Sequence, residues 1–299
     1  MGKQDPLYTP EGWFRALRCP EFIAYLAVSL PPRQGSRAEI AAARQTLWAT
    51  PLIRDLLATQ RREGDWPSYP PDGGQRYWFR QFPIPLSVLC EAGFTLDLEP
   101  VRRATRHLLS CLEDGVFRNP FREIDEPLEY YEAHIGYCLE ALGRCGLASD
   151  PRVRRAVEVA LEHQRWDGGW SIRPTRGRAE TIDPDRAPSC EACTAVMVRG
   201  LTWGPRLPDE VVERIAAFRL DETVEAPPEW FIPEILLQLE FLARQGRRMS
   251  DPHVQRLMRK LESTRDEEGA FLPHESYKGY YPPEYTQLMY DHLRWLLGD

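Results

Sequence analysis

The feature that most limits how this chain can fold is one helix ending used more than once. "TQRREGDWPS" (59–68) and "HQRWDGGWSI" (163–172) share the spacing Gln-x-x-x-Gly-x-Trp, carried by Gln60, Gly64 and Trp66 and by Gln164, Gly168 and Trp170. Two weaker copies, "CLEDGVF" and "RDEEGAF", place Gly115 before Phe117 and Gly269 before Phe271. The four glycines are 51, 53 and 101 residues apart. The last step spans two periods, so a degenerate copy is expected near 218–222, where "FRLDETVEA" has neither the glycine nor the aromatic residue. Self-similarity at a fixed period indicates stacked supersecondary units, each burying its apolar face against its neighbours.

Each copy closes a polar helix. Helices are expected over 36–61, 100–112, 151–163, 208–218 and 252–263. Ser36 and Glu39 have capping-box spacing. Asp150-Pro151 and Asp251-Pro252 supply an N-cap followed by proline at the first helical position. In the third helix Val153, Ala156, Val157 and Leu161 repeat at helical spacing, with Arg152, Arg154 and Arg155 largely opposite. The glycine suits a left-handed C-terminal cap, and the aromatic residue two places on can pack back over the helix end. A more apolar helix follows each copy, over 78–93, 131–146, 190–204, 231–246 and 284–298, with 21–30 as an earlier member. "YEAHIGYCLEALGRCG" and "FIPEILLQLEFLARQG" end alike, with Leu139-Glu140-x-Leu142-x-Arg144 against Leu239-Glu240-x-Leu242-x-Arg244.

A polar outer helix, a glycine–aromatic corner and an apolar inner helix thus alternate. The expected fold is all-α, an (α/α) toroid or barrel of about five to six helical hairpins with almost no strand. Because the inner helices are apolar on more than one face, a closed ring is favoured over an open superhelix, which would leave a polar concave surface. One domain is expected over 36–299, with residues 1–35 packing on the barrel.

Composition narrows the partners. The formal net charge of −7 makes nucleic acid a poor partner. No apolar run reaches the roughly 18 residues of a membrane span, and "MGKQDPLYTPEGW" has neither a signal-peptide core nor a myristoylation pattern. Seven cysteines scattered through helical segments read as reduced thiols of a cytoplasmic protein.

The Gln-x-x-x-Gly-x-Trp corners resemble the repeat of squalene–hopene and oxidosqualene cyclases, found less regularly in the β subunits of protein prenyltransferases. The resemblance covers roughly 36–299 and identifies the chain as a single-toroid, bacterial-type relative of the terpenoid cyclase and protein prenyltransferase superfamily. It implies a central cavity holding an isoprenoid chain. In class II cyclases an Asp-x-Asp-Asp-Thr-Ala segment opens an inner helix and its middle aspartate protonates the substrate. The matching segment here is Cys190-Glu191-Ala192-Cys193-Thr194-Ala195. Thr-Ala is kept, all three aspartates are absent, and Ala192 stands at the proton-donor place. The prenyltransferase zinc ligands, an Asp-x-Cys pair and a later histidine, are not reproduced either: Cys190 and Ala192 stand at the pair, and Tyr285 and Thr286 near the histidine.

The cavity is therefore expected to carry different equipment. Aligning the inner helices places Gln81, His134, Cys193 and Glu234 at one level, with Cys190 one turn before Cys193. On one reading Cys190, Cys193 and His134 bind zinc, with Glu234 or water as fourth ligand; on the other, the cysteines fill space in a buried helix. Glu191, Glu234 and His134 are the candidate catalytic acids, since a carboxyl desolvated beside an apolar cavity holds its proton to higher pH. The long segment 171–188 carries Arg173, Arg176 and Arg178, suited to clamping a diphosphate. Trp78, Phe82, Tyr131, Trp230 and Tyr285 cluster at inner-helix starts, where aromatic faces suit an isoprenoid tail and a carbocation. The functional expectation is an isoprenoid-handling enzyme of the cyclase or prenyltransferase type that lacks the standard proton donor. The alternative is a non-catalytic toroid binding a lipid-like ligand or a protein partner.

Overall fold

The computed structural model describes residues 16–66, 82–118, 132–170, 189–225, 232–272, 274–276 and 279–298. Among them are twelve helices and two short hairpins. The inner helices are α1 (Pro20–Ser29), α4 (Pro83–Glu91), α6 (Glu132–Arg144), α8 (Glu191–Thr202), α10 (Ile232–Arg244) and α12 (Pro283–Leu297). The outer helices are α2 (Arg37–Trp48), α3 (Pro51–Thr59), α5 (Glu99–Ser110), α7 (Pro151–Glu162), α9 (Asp209–Glu225) and α11 (Pro252–Glu262). Strands β1 (Leu112–Glu113) and β2 (Val116–Phe117) pair antiparallel, as do β3 (His274–Ser276) and β4 (Gly279–Tyr281). The fold is all-α, as the periodicity predicts. No helix among the described residues is long and apolar enough to cross a membrane.

Two expected helices differ in extent. The one expected over 36–61 is two: the Ser36–Glu39 capping box opens α2, and Thr50 is extended before Pro51, which starts α3. Proline cannot donate the interior hydrogen bond, and it disfavours helical geometry in the residue before it. The helix expected to stop at 218 runs on to Glu225. The degenerate copy has no glycine to take the left-handed turn, so nothing there ends the helix.

The inner helices pack in chain order, α4 on α6, α6 on α8, α8 on α10 and α10 on α12, and α12 packs on α1. The row returns to its start where Tyr25 of α1 lies against Gly93, just after α4. The approach of α6 and α8 is set by glycine. A Cβ on Gly136 would overlap the carbonyl of Val196, and one on Gly200 would stand 2.5 Å from the carbonyl oxygen of Gly136. Leu86, Leu139, Val198, Leu239 and Leu293 are all at 1% exposure or less, so the core runs through all these helices.

The corners hold the outer layer together. Gly64, Gly115, Gly168 and Gly269 all have positive φ, a backbone state open to glycine without steric cost. In the first three, the missing Cβ leaves room for the backbone of the next outer helix: Arg103 of α5, Arg155 of α7 and Arg214 of α9. At Gly269, in the last corner, an added Cβ would meet no atom of the described residues within 4 Å. Trp66 and Trp170 are buried, and each donates its indole N–H at 2.8 Å to a carbonyl ten residues back, Leu56 and Ala160. Phe117 and Phe271 are buried at the same places. Gln60 and Gln164 donate their amides to the carbonyls of Gly64 and Gly168 at 2.9 and 2.8 Å. In the last corner Arg265 makes the equivalent bond to Gly269 and lays its guanidinium 3.8 Å from the centre of the Phe271 ring. The weaker copy is thus the same corner with an arginine doing the glutamine's work.

Candidate functional site

Three corners lie against the starts of inner helices, Trp66 beside Phe82 at α4, Trp170 bonded to Thr194 of α8 and Arg265 bonded to Gln287 of α12, which puts these corners and helix starts at one end of the fold. The third corner shows how it sets such a start. Thr194, fully buried in the first turn of α8, accepts from the backbone N–H of Trp170 at 2.9 Å, and its hydroxyl also lies 3.2 Å from the Trp170 carbonyl. Cys190 donates its backbone N–H to that carbonyl at 2.7 Å. The Asp167 carboxylate accepts from the Ser189 hydroxyl and from the Ser189 and Gly169 backbone N–H groups. Burial pushes the Asp167 carboxyl up, but these bonds prevail and hold it below the usual range. Thr194 thus ties the inner helix to the corner through its own side chain, whichever residues occupy the positions before it.

Cys190 is the half-buried N-cap of α8, and Cys193 is buried one turn in. Glu234 is half-buried in the first turn of α10, the helix beside α8. Phe82 is fully buried at the start of α4, its ring centre 6.1 Å from that of Trp66 and 5.5 Å from that of His107. Tyr285 is buried in the first turn of α12. The side chains of His134 and Glu191, and the whole of Gln81, Trp78, Tyr131, Arg173, Arg176, Arg178 and Trp230, lie outside the described residues. Among the described residues no group of three His, Cys, Asp or Glu could hold a metal ion.

Sequence reading missed a cleft at this end. It has a volume of about 730 Å³ and lies between the starts of α1 and α12, the first and last inner helices. Leu17, Pro20, Ile23, Ala24 and Pro282 line it, with Arg18 and Glu284 as its charged members. That volume lies in the range of small-molecule sites. Its two walls are more than 250 residues apart in the chain, so no local pattern announces it.

The opposite end of the row is polar. Glu140, 1% exposed, pairs with Arg144 at 2.9 Å and with Arg199 of the next helix. Glu240 repeats the pairing with Arg244 at 3.0 Å. Arg144 and Arg244 each lie over the ring of Trp203, 4.2 and 3.6 Å from its centre. The shared Leu-Glu-x-Leu-x-Arg ending is thus an ion pair along the helix plus a guanidinium for one tryptophan. Burial pushes the carboxyl of Glu91 up to about 7 against the attraction of Arg144, whose nitrogen lies 3.4 Å away. For Glu140 the same burial is outweighed by Arg199 and Arg144, and its carboxyl stays below the usual range.

No protein-family model matches the chain, and no curated protein matches it. Solved structures do. Ent-copalyl diphosphate synthase from Streptomyces platensis is similar at 20% identity and a TM-score of 0.49, over 97% of this chain. The chain spans about half, 51%, of that protein's length. The type II terpene cyclase MstE from Scytonema, in complex with geranylgeranyl dihydroxybenzoate, is similar at 14% identity and a TM-score of 0.48, over 93% of this chain and 86% of its own. A protein from Actinoplanes is similar at 17% identity and a TM-score of 0.45, over 92% and 88%.

Proposed function

We propose that this protein handles isoprenoids, taking a prenyl or terpenoid chain at the end of the fold where the corners and the inner-helix N-termini meet. The carrying observation is the cleft of about 730 Å³ between α1 and α12, apolar along Leu17, Pro20, Ile23, Ala24 and Pro282, with Arg18 and Glu284 as its charged members. The Gln-x-x-x-Gly-x-Trp corners, and their resemblance to those of terpenoid cyclases, support this ligand class. On the enzyme reading Glu191, Glu234 and His134 handle protons. Arg173, Arg176 and Arg178 hold a diphosphate, and Trp78, Phe82, Tyr131, Trp230 and Tyr285 contact the tail. Zinc on Cys190, Cys193 and His134 remains a proposal beside it, supported by two cysteines one turn apart at the start of α8. Stoichiometric zinc that Cys190→Ser with Cys193→Ser removes would establish it.

A second reading, a non-catalytic toroid binding a lipid-like ligand or a protein partner, draws on Thr194. The part of the acid motif that survives is the part that holds the corner. One pair of measurements separates the readings. Thermal unfolding with geranylgeranyl diphosphate and with geranylgeraniol tests binding, since a ligand selective for the folded state raises the midpoint. Product analysis of the same mixtures tests chemistry. A shift with new products supports the enzyme, and a shift without products supports the binding protein. No shift with either compound refutes isoprenoid handling.

A further inference from the structure

Two cysteines meet at the end of the inner row away from the cleft. Cys90 lies in the last turn of α4, and Cys145 is the first residue after α6. Both are free thiols, and their sulfur atoms are 3.0 Å apart. Glu91 and Arg144, next to them in the chain, form an ion pair, so 90–91 and 144–145 make two adjacent links between neighbouring helices. Cys145 is 9% exposed and Cys90 is half-buried, so Cys90 is the less enclosed of the two. Thr105 of α5 directs its hydroxyl at the Cys145 sulfur, 3.6 Å away. Cys19 and Cys111 instead meet oxygen: the Glu21 carboxylate at 3.2 Å and the His107 carbonyl at 3.3 Å.

We infer that Cys90 and Cys145 form a modification site for small-molecule disulfides, at which thiol–disulfide exchange leaves an internal Cys90–Cys145 disulfide. Its hydrogen bond with Cys90 holds the Cys145 thiol below its usual value, and Cys145 supplies the attacking thiolate. Its sulfur attacks one sulfur of the incoming R–S–S–R. That bond breaks, and R–S⁻ departs and takes a proton from water. Cys90 then gives its proton to solvent and attacks the Cys145 sulfur of the mixed disulfide, expelling the second R–S⁻. Two protein thiols are oxidised and one small disulfide is reduced to two thiols. Bond formation needs the sulfurs to close by ~1 Å, to the ~2.05 Å of a disulfide. The product ties together two helices whose cysteines are 55 residues apart in the chain, which restricts the unfolded state.

The test uses the full chain, incubated natively with oxidised glutathione, then alkylated in denaturant and digested without reduction. The expected result is a Cys90–Cys145 cross-linked peptide. The other cysteines should be alkylated, the thermal midpoint should rise by several degrees, and dithiothreitol should reverse both changes. Cys90→Ser should stop at a glutathionyl adduct on Cys145 with no rise in midpoint; Cys145→Ser should give no cross-link. Alkylation of both cysteines after treatment, cross-links to other partners, or stable glutathione adducts on the unsubstituted chain would overturn the site.

Discussion

Replacing Thr194 by valine tests the claim that its side chain ties the inner helix to the corner. The side chains are nearly the same size, so no cavity term enters. What is lost is the hydroxyl, 2.9 Å from the Trp170 backbone nitrogen and 3.2 Å from its carbonyl oxygen. The carbonyl keeps Cys190 N–H as a donor at 2.7 Å. Among the described residues the Trp170 N–H makes no other hydrogen bond, and Thr194 and Trp170 are both fully buried. One orphaned buried donor costs about 1–3 kcal/mol. Thr194→Ser, which keeps the hydroxyl and loses a methyl, should cost about 1 kcal/mol. For a chain of 299 residues ~2 kcal/mol corresponds to a fall of roughly 3 °C in midpoint. Urea unfolding of the three proteins, with slopes compared to check that the unfolded states match, gives the energies. If Thr194→Val unfolds like the unsubstituted protein, or Thr194→Ser is the more damaging change, the corner does not depend on this hydroxyl.

Two further predictions concern the inner row. Gly136→Ala gains about 1 kcal/mol of helix propensity, but its Cβ would overlap the backbone of Val196. Such overpacking costs about 1–3 kcal/mol or more, so the variant should be less stable in chemical unfolding; a more stable variant would refute the close α6–α8 approach. The carboxyl of Glu91 is raised to about 7 by burial, so the folded state binds this proton more tightly than the unfolded state. Its contribution is present in full below the unfolded value near 4.5, falls as pH rises toward 7, and reaches a loss of about 3 kcal/mol above it. Glu91→Gln should remove that decline in urea titrations between pH 5 and 8, and parallel declines in both proteins would show that Glu91 does not cause it.

Much of the fold is legible because its signals are short-range. Gly64, Trp66, Gly168 and Trp170 announce corners through their own backbone preference and bulk. Ser36, Asp150 and Asp251 announce helix starts, and the structure gives all three their side-chain caps. Pro51 was equally legible, but a continuous apolar pattern hid the break it makes. The weak corner at Gly269 is legible in its glycine and aromatic residue. That Arg265 replaces the glutamine there needed the bond to Gly269.

That outer and inner helices alternate around glycine–aromatic corners follows from residues a few places apart, because periodicity, caps and turns are local. What those elements meet depends on packing in three dimensions. It seats three corner glycines on the next outer helix and closes α6 on α8 through Gly136 and Gly200. It sets Arg144 and Arg244 over Trp203 and brings the Cys90 and Cys145 sulfurs together. It opens the cleft between the first and last inner helices. The physical reason is common to all of these. Each contact joins residues far apart in the chain, and its free energy exists only once packing has paired the surfaces that carry them.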